Sequence, residues 1–115
     1  MRLCNLFLIS ILFSLPIAHA QSVVATPEAK ITKLHTHWGD RRLVIVLEGV
    51  NPADYNPGNC TATTYFDQGL GLDDKVLDIQ AAMLMSAFAS DQKVQLLIRD
   101  CGLQAPGIYA VRMNK

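Results

Sequence analysis

The sequence lacks any excess of charge: ten Lys and Arg residues balance ten Asp and Glu residues in 115. No basic stripe or tail is present to neutralise phosphates, which argues against nucleic acid as the main partner. No apolar run reaches the roughly 18 residues needed to cross a bilayer as a helix. The common catalytic signatures are missing too: there is no GxSxG, no HExxH, no glycine-rich phosphate loop, and no nucleophile beside a base. The chain is also too short for a large cleft. These absences argue against an enzyme, and no cofactor is expected. Cysteine and tryptophan are scarce, at three and one, so each carries weight. There is no repeat, linker or low-complexity segment.

What is present begins with an uneven distribution of apolar residues. Fourteen of them fall in the first twenty positions, leaving 44 among the other 95, an ordinary globular share. Arg2 precedes the apolar run Leu6 to Ile17, and Ala18-His19-Ala20 supplies the small residues that a signal peptidase reads. That layout predicts a signal peptide over 1–20, cleavage before Gln21, and a single domain over 21–115 in the periplasm or outside the cell. Arg2 and Cys4 would leave with the signal. The remaining chain has nine basic and ten acidic residues, a formal charge of −1, and two cysteines. In an exported small domain, Cys60 and Cys101 read as a disulfide.

The pattern downstream gives six elements. Residues 21–28, with Pro27 among them, form a short leader, either extended or loose. Ile31 to Trp38 reads as a strand, Gly39-Asp40-Arg41 as a turn, and Leu43 to Leu47 as a buried strand. Gly49 to Gly58 is a loop, and Thr61 to Phe66 a third strand. Asp73 to Ala89 is a helix, with Asp73 as cap and Leu72 and Leu77 as staple. Val94 to Arg99 and Ile108 to Met113 complete the set. The expected class is α+β: a five-stranded antiparallel OB-like barrel with one helix between strands 3 and 4. The alternative is a helix packed on an open antiparallel sheet.

The helix is apolar on more than one side. Val76, Ile79 and Met83 form one lobe; Leu77, Ala81, Leu84 and Phe88 form another. Either loops of the same chain cover the surplus, or the helix also faces a second subunit. The stretch from Ile79-Gln80-Ala81-Ala82-Met83-Leu84 through Gln92-Lys93-Val94-Gln95-Leu96-Leu97-Ile98 runs an apolar helix through a polar turn into a strand. In this it resembles the binding subunits of pentameric bacterial toxins, especially the subtilase-cytotoxin type. The resemblance covers the last half of the exported chain. It implies an OB fold, a ring of subunits, and an outer face that binds glycans.

Candidate sites follow from the scarce residues. On a strand, His35 and His37 would share a face and present two nitrogens to a metal, with Asp40 as a third ligand. Trp38 and Tyr55 can stack on sugar rings; Trp38 is expected in the core and Tyr55, in the 51–59 loop, at the surface. Arg41 and Arg42 can clamp an anion, although a turn usually leaves such a pair solvated. Asp73, Asp74 and Asp78 are read as first-turn acids that complement the helix dipole, with Asp67 nearby. The reading that unites these features is an exported, non-catalytic binding domain. It would recognise a glycan or a protein, with a homo-oligomer formed through the helix. Two other readings are a metal-binding protein or small enzyme using His35 and His37, and a structural or inhibitory envelope protein.

Overall fold

The computed structural model describes residues 22–114, so the expected signal lies outside the described residues. Six strands form a mixed sheet: β1 (Val24–Ala25), β2 (Ala29–Thr36), β3 (Leu43–Leu47), β4 (Phe66–Gln68), β5 (Lys93–Cys101) and β6 (Pro106–Arg112). One α-helix, α1 (Asp74–Ala89), and a 3-10 turn at Pro52–Asp54 complete the described residues. The class is α+β, with the helix between β4 and β5.

Of the two expectations for the leader, the extended one holds. Val24 and Ala25 pair with Ile98 and Leu97, and Ala29 and Lys30 pair with Val94 and Lys93. Pro27, which has no N–H, interrupts the ladder between them. Thr26 bridges the gap, donating its N–H to the Leu96 carbonyl at 2.9 Å and accepting the Leu96 N–H on Oγ1 at 3.0 Å. Residues 24–36 therefore follow one path, with β5 on one side early and β3 later.

β3 is an uninterrupted apolar run because both of its faces are covered; Leu43, Val44, Ile45 and Leu47 are all buried. The pairings β2–β3, β3–β4, β4–β6, β6–β5 and β5–β2 close a ring of five strands. The ring is not wholly antiparallel: Asp67 and Gln68 of β4 run parallel to Gly107 and Ile108 of β6. Strand directions that alternate around an odd number of members cannot return in phase, so closure forces one parallel pair. The third strand lies later than its β-branched residues suggested. Residues 61–65 are irregular, with bends at Thr61, Thr64 and Tyr65 and the Ala62 N–H on the Gln104 carbonyl at 2.9 Å, and pairing begins at Phe66.

The core contains Ile45, Phe66, Leu84, Ala87, Val94, Leu96, Ile98 and Ile108, all at 0% exposure. Each large side chain of this kind contributes about 2 kcal/mol when removed from water. The helix starts where expected: Asp73 caps it by accepting the Lys75 N–H at 2.8 Å. Its buried stripe is Leu77, Gln80, Leu84 and Ala87, which joins two members of the second lobe, Leu77 and Leu84, to Gln80 and Ala87 from the strip between the lobes. Gln80 is drawn inward by Gln68. The Gln68 carbonyl oxygen accepts the Leu43 N–H at 3.0 Å, and its amide donates to the Leu77 carbonyl at 3.0 Å and to Gln80 Oε1 at 3.2 Å. Gln80 in turn donates to the Tyr109 carbonyl at 2.9 Å. Loops of the described chain do not cover the surplus. Val76, Ile79, Met85 and Phe88 are 38, 62, 50 and 46% exposed.

Candidate functional site

The strand alternation expected to bury Trp38 ends before it. β2 stops at Thr36, and the Asp40 N–H returns to the His37 carbonyl at 3.3 Å. Gly39 occupies the left-handed region at φ +70°, as the third residue of a type II turn requires. Trp38 is thus a corner residue and projects from the loop, 84% exposed. Tyr55 shows the reverse. It is half-buried and packs against the core. The burial expected of the two aromatics is therefore interchanged.

Trp38 rests edge-on against both nearby imidazoles, with ring centroids 6.0 Å from His35 and 6.0 Å from His37. His37 also meets Tyr65 edge-on at 6.3 Å, and the Tyr65 hydroxyl donates to Gln104 Oε1 at 3.3 Å. Four rings and one amide thus gather where the β2–β3 loop meets the β5–β6 loop.

Beneath them lies a buried carboxylate. β4 places Asp67 between Val44 and Gly107 in register, at 0% exposure. Oδ2 accepts the N–H groups of Leu103 at 3.0 Å and Gln104 at 3.3 Å. His37 Nε2 lies 3.8 Å from the same oxygen, and its side chain is 9% exposed. Neither His37 Nε2 nor Asp67 Oδ1 has a hydrogen-bond partner. Burial pushes the Asp67 carboxyl above the ordinary range, opposed by the loop N–H groups and by His37. Burial, and then the Asp67 charge, pushes the Tyr65 phenol up as well. Gly102 makes the close approach possible, since a Cβ there would collide with Asp67 Oδ1.

The two histidines do not converge with a third ligand. His35 Nδ1 lies 2.9 Å from the Thr36 carbonyl oxygen. Asp40 is engaged by Arg42 through its backbone N–H at 2.8 Å and its guanidinium at 2.9 and 3.0 Å. These contacts, led by the backbone bond, hold the Asp40 carboxyl below its ordinary value. Among the described residues no group of three or more His, Cys, Asp or Glu comes together as a metal cage. Arg41 remains exposed and pairs at the surface with Asp74 at 3.2 Å and with Asp78. The expected bridge is present: Cys60 and Cys101 are joined at 2.03 Å. Because Cys101 ends β5, the β5–β6 loop begins at the bridge.

Tyr65 and Gln104 were not singled out from sequence. The only available signal was the acid between Phe66 and Gln68, a charge inside a strand pattern. The chain matches no protein-family model, no curated protein and no solved structure.

Proposed function

We propose that this chain is an exported, non-catalytic binding domain, an OB-like barrel that recognises a glycan through Trp38 and Tyr65. The carrying observation is the single tryptophan at 84% exposure on the turn that follows β2. A large aromatic held out in water is stabilised poorly by folding, and it suits stacking on the apolar face of a sugar ring. The barrel reading draws on the closed order of five strands and its one parallel pair. In OB folds the loop between the first two barrel strands and the loop between the last two serve as ligand-binding loops. Their counterparts are residues 37–42, which carry Trp38, and residues 102–105, which carry Gln104. The disulfide suits an oxidising compartment, the periplasm or the exterior. A glycan array probed with the purified protein and with Trp38→Ala tests this. We expect binding that the substitution abolishes. No glycan bound, or binding indifferent to Trp38, overturns it.

A second reading concerns assembly, and the exposed apolar flanks of α1 favour it. Ile79 at 62% and Met85 at 50% suit a homo-oligomer built through the helix. Sedimentation decides it: a strict monomer at tens of micromolar removes it. The metal reading needs a third ligand beside His35 and His37. Zinc titration followed by calorimetry tests it, and absence of heat removes it.

A further inference from the structure

Residue 67 opposes Val44 and Gly107 in the sheet, where an apolar side chain would be the more stabilising choice. An acid sits there instead. Its hydrogen bonds do not serve the sheet: Oδ2 accepts from Leu103 and Gln104, both in the β5–β6 loop. The same oxygen approaches His37 Nε2 of the β2–β3 loop at 3.8 Å. From His37 the contacts continue to Trp38 and Tyr65, and from Tyr65 back to Gln104. The carboxylate therefore belongs to a closed circuit of contacts, completed through the Gln104 backbone N–H, that links the two loops below the exposed indole. Gly102 is shaped around it, since any side chain there would strike Oδ1.

We propose that Asp67 is a positioning residue: it fixes the β5–β6 loop against the β2–β3 loop and so sets the attitude of Trp38 and Tyr65 towards a ligand. The role of the site rests on the binding reading above; the coupling of the loops does not. Burial holds the Asp67 carboxyl above the ordinary range, as expected of a charge kept where it is unfavourable. The acceptor matters here more than the charge. An asparagine that turns its carbonyl to the loop N–H groups should preserve the arrangement, and an alanine should not.

Trp38 is the sole tryptophan, so its indole N–H gives one identifiable signal in a two-dimensional nitrogen–proton NMR spectrum. In Asp67→Ala the Trp38 indole should shift together with the amides of Leu103 and Gln104. In Asp67→Asn these signals should return towards their original positions. On any glycan identified by the array, Asp67→Ala should bind about tenfold more weakly, since the loop must then be ordered on binding, while Asp67→Asn stays near wild type. An Asp67→Ala protein in which the loop amides move and the indole does not overturns the proposal. So does an Asp67→Asn protein that matches Asp67→Ala. If Asp67→Ala does not fold, Tyr65→Phe opens the circuit from its other side and should give a smaller joint shift; an unmoved indole there is equally fatal. A joint shift in a protein that binds no glycan would retain the positioning role and remove the glycan reading.

Discussion

Asp67 and Gln68 are neighbours in β4, both fully buried, and strand alternation turns them to opposite faces. Gln68 is neutral, and both ends of its amide are occupied, by β3 on one side and by α1 on the other. Asp67 is acidic, keeps one oxygen without a partner, and bonds only to loop backbone. The neutral, satisfied residue holds the helix on the sheet. The charged, partly satisfied one organises the loops that carry Trp38. Two buried polar side chains, one residue apart, thus serve different purposes. Satisfaction of their hydrogen-bonding groups distinguishes them better than burial does.

This contrast can be tested on both faces of β4. The largest effect is expected from the covalent tie on the Asp67 side. Breaking Cys60–Cys101, which closes a 41-residue span, should lower stability by roughly 4 kcal/mol on chain-entropy grounds, read by denaturant unfolding of the reduced protein. Gln68→Leu should follow at about 3 kcal/mol, because it leaves the Leu43 N–H and Gln80 Oε1 buried without partners. If Gln68→Leu cost no more than an ordinary surface change, the proposed anchor between helix and sheet would be lost.

A smaller effect should appear as a pH dependence at Asp67. Its folded carboxyl sits above the ordinary 3.8, so over a window upward from that value the folded chain holds a proton the unfolded chain has released. The stability it contributes is full below 3.8 and is lost as pH rises through the folded value. Asp40 has the opposite sign. Held low by the Arg42 N–H, it contributes above 3.8 and loses that on acidification. Asp67→Asn isolates the first term. Its melting temperature, compared with wild type, should gain progressively as pH rises from 3.8; a constant difference would show that burial does not disfavour the Asp67 charge. The smallest change belongs to Trp38→Ala, which should alter stability by less than about 0.5 kcal/mol while abolishing any glycan binding.

Much of the framework was legible in the sequence. The β3 run and the capped helix are recorded locally, in a block of apolar residues and in one aspartate at the right place. The pairing of the leader was not, because it depends on a threonine hydroxyl across a proline gap, and no periodicity encodes that. β4 was misplaced because two of its three residues, Asp67 and Gln68, look like turn residues until their distant partners are known. Trp38 was misjudged because hydrophobicity pointed inward, whereas a glycine three residues past the strand end turned it out. The histidine pair and the disulfide cysteines could be named from sequence. What lies over and under His37 depends on the return of the β5–β6 loop, which is tertiary.

The closed ring also bears on how the chain reaches its fold. Its parallel neighbours β4 and β6 are separated in sequence by the helix and by β5, so they meet only after a long stretch of chain has been gathered in. Contacts of this kind make folding slow, since the entropy of loop closure is lost before pairing compensates for it. The cysteine bridge runs from just before β4 to the end of β5 and constrains much of that same stretch. A chain oxidised early therefore begins its search with the slowest encounter already prepared. Where the bridge forms before the ring, the speed of folding depends on the oxidant the chain meets.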